Sequence, residues 1–144
     1  MLSCDTNVLF HAFNEDSPDH EKCLEFIRAH ERDRKFVLSE WVLIETYNLI
    51  RNAAALPSPL SARDAVDFIQ AYRENKYWRI DKGTRDVSEE IWRAASGADF
   101  PRRAIFDARI AYSLAAFGVK RFATRNVGDF ERFGVLEAFD PTLG

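Results

Sequence analysis

The sequence predicts a three-layer α/β fold, a parallel sheet covered by helices. Short apolar runs of strand length, such as "KFVLS", "YWRID" and "KRFAT", alternate along the chain with longer segments of helical periodicity. Strands joined by helices run parallel, and their crossovers are right-handed. The composition supplies a core for such layers: of 144 residues, 47% are hydrophobic and 13% aromatic. One domain, residues 1–144, accounts for the chain, with no repeat and no low-complexity linker.

The elements follow in order. "MLSCDTNVLFHAF" reads as a strand ending near Asp5 and then a helix. "SPDHEKCLEFIRAHE" reads as a helix capped by Ser17, with Pro18 at its first position and Cys23, Leu24 and Ile27 on its inner face. After the strand "KFVLS", Ser39 caps the helix "EWVLIETYNLIRN". The two prolines of "LPSPL" break it. Ser61 and Asp64 resemble a capping box, and Ala65, Phe68, Ile69 and Tyr72 form the inward stripe of the next helix. The strand "YWRID" comes next, followed by the helix "TRDVSEEIWRAAS", which stops before Gly97. "AIFDARIAYSLAAFG" is a further helix, turned at Gly118 into the strand "KRFAT". "GVLEAFDP" supplies a last edge strand.

Several function classes are excluded early. No basic, then apolar, leader opens the chain, and no apolar run approaches the roughly 20 residues of a membrane span. The longest candidate is interrupted by Asp107 and Arg109. Cys4 and Cys23 lie on apolar faces and read as reduced, buried thiols, which suits a cytoplasmic protein. A net charge of −3 argues against a wholly basic nucleic-acid binder but leaves room for a local basic groove. There is no glycine-rich phosphate loop and no Ser–His elbow. His11, His20 and His30 have no ligand spacing.

The acids are placed unusually. Asp5 ends the first strand, while Thr124 and Asn126 end "KRFAT". In parallel sheets ligands bind beyond the carboxyl ends of strands, so these residues share one rim. Glu45 and Asp107 interrupt helix faces that are otherwise apolar, and Asp129 follows Asn126 closely. Taken singly, each has an ordinary explanation. Asp5 or Asp129 would be a cap, and Glu45 or Asp107 a boundary charge. Taken together they crowd: two unit charges about 4 Å apart repel by roughly 4 kcal/mol at an effective dielectric near 20. Such a cluster persists by sharing protons or binding a cation. An oxygen-only set suits Mg²⁺ or Mn²⁺ better than Zn²⁺.

"CDTNVLFHAF", Glu45 inside its helix, "FDARIAYSLAAFG" and "FATRNVGDFERFG", in that order, resemble the PIN-domain ribonucleases, most closely the toxin half of VapBC toxin–antitoxin pairs. The resemblance implies an α/β/α sandwich on a parallel sheet of four or five strands. It implies an endoribonuclease using Mg²⁺ or Mn²⁺ and a metal-activated water, a homodimer, and a small antitoxin partner. Carried over by position, Asp5, Glu45, Asp107 and Asp129 are the catalytic acids, with Asp5, Asp107 and Asp129 holding metal. Asn7, Thr124 and Asn126 support them. One common form of the family has Asp where this chain has Asn126, and Asp129 is the natural replacement. Arg102, Arg103 and Arg125, with Arg109 and Arg132, are candidate phosphate contacts. Phe10, Phe13, Trp41 and Tyr47, on early helices, are candidate contacts for assembly. A housekeeping PIN nuclease of RNA processing is the alternative. A receiver-like signalling domain fits less well, because Asp5 lacks acidic neighbours and the late strand ends without lysine.

Overall fold

The computed structural model describes residues 1–143. Five three-residue strands stand among them: β1 (Leu2–Cys4), β2 (Val37–Ser39), β3 (Arg79–Asp81), β4 (Arg121–Ala123) and β5 (Glu137–Phe139). Every pairing is parallel, with β1, β4 and β5 in one ladder and β2 and β3 in another. A parallel bridge between Leu2 and Phe36, with the Leu2 N–H donating to the Lys35 carbonyl at 2.9 Å, joins the two ladders. The spatial order is therefore β3-β2-β1-β4-β5.

The helices between them are α1 (Thr6–Phe13), α2 (His20–Ala29), α3 (Glu40–Ile50), α4 (Ala62–Arg73), α5 (Ser88–Ala95), α6 (Ala104–Phe117) and α7 (Val127–Glu131). From β1 to β3 the chain steps outward in one direction. It then returns past β1 to β4 and steps the other way to β5. Right-handed crossovers consequently place α1–α4 on one face and α5–α7 on the other. The contacts agree: α1 packs on α2 and α3, and α3 on α4, while α6 packs on α5 and α7. The direction reverses between β1 and β4, and there the segments after the two strands part to opposite faces and open a crevice.

Local chemistry fixes the ends that matter. Asp5 caps α1 by accepting the Thr6 N–H at 2.8 Å, and Ser39 caps α3 by accepting the Trp41 N–H at 3.1 Å. Ser61 accepts the Asp64 N–H at 3.1 Å, the Ser61 half of the expected box. Gly118 ends α6 at φ 111°, where a Cβ would also meet the Met1 methyl at 2.8 Å. Beneath the rim, Phe36, Phe122, Phe130, Leu9, Leu38 and Leu114 are fully buried. Each such side chain contributes about 1.5–3 kcal/mol by leaving water.

The structure corrects three sequence expectations. Helix α2 starts at His20 with Asp19 at its cap. Ser17 instead closes the turn before it, bonding His11 Nδ1 at 2.8 Å and accepting the Asp19 N–H at 3.1 Å. Helix α5 starts at Ser88 rather than in the "TRDV" stretch. The aromatic side chains expected to serve assembly are used within the chain. Phe10, Phe13 and Tyr47 pack around Ile50, Leu56 and Ala65, and the Trp41 ring carries the Arg109 guanidinium at 3.9 Å. The exposed apolar side chains are others, including Ile44, Trp92 and Phe106.

Candidate functional site

The crevice between β1 and β4 brings the two predicted strand ends together. The Thr124 hydroxyl donates to Asp5 Oδ2 at 2.7 Å, across 119 positions of sequence. The Asn7 amide donates to the same oxygen at 3.2 Å, and Asn7 Oδ1 accepts the Arg125 N–H at 3.1 Å. Thr124 Oγ1 also accepts the Asn126 N–H at 3.0 Å. Asp5 and Thr124 are both buried. Their network locks the strand ends to one another and sets the direction of the Asp5 carboxylate.

Glu45 reaches this centre from α3. Its Oε2 accepts the Thr6 hydroxyl at 2.8 Å. Thr6 is a site residue that the sequence reasoning missed. The available signal was a hydroxyl directly after Asp5 on a helix whose neighbour carries a carboxylate in an apolar stripe. Asp107 enters from the first turn of α6, half-buried, where the helix N-terminus favours an anion. No hydrogen bond to its carboxylate is made among the described residues. Asp129 lies in the first turn of α7, exposed, with Arg132 at 3.5 Å. Asn126 precedes α7 and is exposed, and its side chain makes no cap bond.

Charge connects these groups. Burial pushes the Asp5 carboxyl up from 3.8 to about 6; hydrogen bonds from Thr124 and Thr6 pull it down, and the charges of Glu45 and Asp129 push it up. Asp107 rises from 3.8 to about 7, first through burial and then through Asp5, Glu45 and Asp129, with Arg132 opposing. Four carboxylates from four elements therefore act on one another. They are not gathered into a finished cage: among the described residues no three His, Cys, Asp or Glu side chains stand close enough to hold an ion as placed. The donors are all oxygens, a set that suits Mg²⁺ or Mn²⁺ better than Zn²⁺. Burial raises Asp5 and Asp107 first and neighbouring carboxylates add to it, and a divalent cation would offset both.

The basic residues divide. Arg102 and Arg103 are exposed on the turn before α6, without an ion pair among the described residues. Arg125 is committed elsewhere: its guanidinium meets Asp19 at 3.1 Å, pairs with Asp140, and donates to Thr142 Oγ1 at 3.1 Å. It ties the chain's end to the α1–α2 turn instead of presenting a fork to a phosphate. Arg109 lies over Trp41, with its Nε buried and unpaired among the described residues. Cys4 and Cys23 are buried free thiols, and burial raises both well above the ordinary range. Among the described residues no helix is long and apolar enough to cross a membrane.

Comparison with known proteins identifies the family and the fold. The family model described as PIN domain matches residues 3–136. The chain is 37% identical over 141 residues to Ribonuclease VapC24 of Mycobacterium tuberculosis, covering 98% of this chain and 97% of that protein. Among solved structures, VapC20 of Mycobacterium tuberculosis, a Sarcin-Ricin loop cleaving toxin, superposes with a TM-score of 0.72 at 20% identity. That match covers 95% of this chain and 98% of the other. DNA-bound VapBC of Salmonella typhimurium superposes with a TM-score of 0.64 at 14% identity, covering 97% of each chain.

Proposed function

We infer that this chain, which belongs to the PIN-domain family, is an endoribonuclease that works with a divalent cation, Mg²⁺ or Mn²⁺. The observation that supports the assignment is the Asp5–Thr124 bond at the β1/β4 crevice, with Glu45 bonded to Thr6 beside it and Asp107 raised by burial and then by the charges of Asp5, Glu45 and Asp129. Likeness to Ribonuclease VapC24 over nearly the whole chain makes it the toxin of a toxin–antitoxin pair rather than a general RNA-processing nuclease. A small antitoxin protein is its partner, in keeping with a fold neighbour solved as a VapBC complex. The single domain works in the cytoplasm as a homodimer, for which the exposed Trp92 and Phe106 offer apolar surface.

Asp5, Asp107 and Asp129 would hold the cation, directly or through its waters, with Asp129 as the fourth acidic position beside Asn126. A cation bound there supplies Lewis-acid charge to the scissile phosphate and eases deprotonation of the attacking water. The chain does the positioning. Thr124 and Asn7 hold the Asp5 carboxylate in one orientation, so no rearrangement is needed when substrate arrives. Thr6 aims Glu45, which orients the water and accepts its proton. Arg102 and Arg103 are the exposed cations that steer the RNA backbone toward the crevice.

The test is cleavage of end-labelled RNA by the purified protein in Mn²⁺ and in EDTA. Cleavage in Mn²⁺ that EDTA abolishes, with no 2′,3′-cyclic phosphate on the products, is the expected result. Attack by water leaves a linear phosphate, so cyclic ends or EDTA-resistant cutting would refute the assignment.

A further inference from the structure

Arg125 stands between Thr124 and Asn126, yet its guanidinium binds residues outside the acidic crevice. Its Nε and one terminal nitrogen both meet Asp19 Oδ2 at 3.1 Å. The other terminal nitrogen pairs with Asp140 and donates to Thr142 Oγ1 at 3.1 Å. Asp140 also accepts the Thr142 N–H at 2.9 Å and the Thr142 hydroxyl at 2.8 Å. Lys22 Nζ donates to the Thr142 carbonyl at 2.9 Å. The fork thus clasps the segment after β5 to the turn before α2. The Asp140 side chain is 9% exposed and that of Arg125 31%, against 73% and 53% for the Glu137–Arg121 pair, so water screens the clasp far less. A planar guanidinium held by two carboxylates is fixed in direction as well as in place.

The backbone of the same residue reaches the site. The Arg125 N–H donates to Asn7 Oδ1 at 3.1 Å, and Asn7 Nδ2 donates to Asp5 Oδ2 at 3.2 Å. The Asn7 amide is therefore held at its oxygen end and gives its hydrogen end to the carboxylate. An amide turned over would present its oxygen instead, which a carboxylate repels. The bond from Arg125 prevents that turn for as long as the Arg125 peptide stays in place. The strand end is held from the same side, because the Thr124 N–H donates to the carbonyl of Phe139 at 2.9 Å, one residue before Asp140.

We propose that Asp140 and Asp19 are positioning residues of the site: through the Arg125 fork they fix the Arg125 peptide, and through Asn7 they fix the direction in which the Asp5 carboxylate meets its cation. This rests on the reading of Asp5 as a metal-binding acid of the nuclease, and it adds the end of the chain to the supports of that acid. Groups that orient a metal ligand typically control affinity or rate by about 10–100-fold. Asp140 acts one link further out, so its effect belongs at or below the lower end of that range. An ion pair that served stability alone would change the melting temperature and nothing at the site. Arg125 differs because its own N–H belongs to the network around Asp5.

The experiment compares full-length wild type, Asp140→Asn, Asp19→Asn, Arg125→Ala and the double variant Asp140→Asn/Arg125→Ala, at a temperature where all are folded. Asn at 140 keeps the shape and can still accept from Thr142, and Asp19 makes no side-chain cap bond to α2, so neither change threatens the fold. Three quantities are read: the Kd for Mn²⁺ by paramagnetic resonance of the free ion, kcat and KM on a labelled RNA, and exchange of the Asn7 side-chain amide protons by NMR in metal-free protein. Asp140→Asn should raise the Mn²⁺ Kd about fivefold and lower kcat about tenfold, with KM changed less than about twofold. The Asn7 amide protons should exchange faster, and Asp19→Asn should act in the same direction. In the Arg125→Ala background Asp140→Asn should add nothing further, since both act through one guanidinium. Arg73→Gln, which breaks the Arg73–Glu40 pair of 3.1 Å between α3 and α4, is the control and should lower only the melting temperature. If wild type binds Mn²⁺ and cuts RNA while both Asp variants match it in Kd, kcat and exchange, the positioning role is refuted and the nuclease assignment stands. Equal losses in Arg73→Gln, or an Asp140→Asn effect undiminished without Arg125, would also overturn it. If wild type binds Mn²⁺ without cutting, the Kd and exchange measurements decide the proposal by themselves. If it neither binds Mn²⁺ nor cuts, the nuclease assignment falls and the proposal with it.

Discussion

Asp107→Asn should make the metal-free protein more stable. Asp107 accepts no hydrogen bond among the described residues, so the substitution sacrifices no bond while removing a charge pressed by Asp5, Glu45 and Asp129. A carboxyl raised from 3.8 to about 7 would carry a penalty of roughly 4 kcal/mol when ionised, if the whole shift were transmitted to folding. Asp107 is only half-buried, and water screens the site. We expect a gain of about 1 kcal/mol at pH 8, or about 3 °C in Tm for a domain of this size. Mn²⁺ should then stabilise wild type by binding linkage and the mutant less, so that the order of melting narrows or reverses. The assay is a set of four thermal melts: both proteins, in EDTA and in Mn²⁺. A mutant that melts lower than wild type in EDTA, with equal responses to Mn²⁺, would show Asp107 to be an ordinary helix-boundary charge and refute the reasoning.

Three further outcomes follow from the same geometry. Asp5 and Asp107 hold protons in the folded state up to about pH 6 and 7, and the unfolded chain releases them near 3.8, so their contribution is full at low pH and is lost as pH rises through 6–7. Urea unfolding in EDTA should therefore show stability rising from pH 8 to pH 5.5, and a flat or opposite slope would count against it. Thr124→Val should cost about 1–2 kcal/mol in the same assay by removing one of the two donors to Asp5 Oδ2 and the acceptor of the Asn126 N–H; an unchanged midpoint would mean that the Thr124 bond does not hold the strand ends. Arg125→Ala should destabilise by about 1–2 kcal/mol through loss of the Asp19 and Asp140 pairs, while leaving the salt dependence of RNA binding unchanged. A shallower salt slope would restore Arg125 as a phosphate contact.

The strand–helix alternation was legible because apolar runs and helical periodicity survive without tertiary context, and so was the meeting of Asp5 with Thr124, which follows from the parallel-sheet rim. Glu45 and Asp107 announced themselves as charges in apolar stripes. Other features depended on contacts that no local pattern encodes. Helix α7 is five residues long, too short to show a period. The start of α2 was misjudged because Ser17 has the chemistry of a cap, yet its hydroxyl is drawn to His11 across the turn. The role of Thr6 depends on α3 folding back over α1. Arg125 sits in the middle of the acidic motif, and only the packed chain end shows that Asp19 and Asp140 claim it. Phe10, Phe13, Trp41 and Tyr47 read as surplus apolar surface because the second small core around Ile50 and Leu56, and the Arg109–Trp41 stack, are long-range constructions.

The central claim is that Asp5 and Asp107, from opposite faces of the sheet, serve one metal-dependent RNA-cutting centre. The most direct measurement is the rate at which purified wild type, Asp5→Asn and Asp107→Asn cut a labelled RNA in Mn²⁺, each shown by circular dichroism to be folded. We expect wild type to cut and each variant to fall by at least about a hundredfold, since each removes a group that acts on the developing charge. Folded variants that cut at near wild-type rates would contradict the claim.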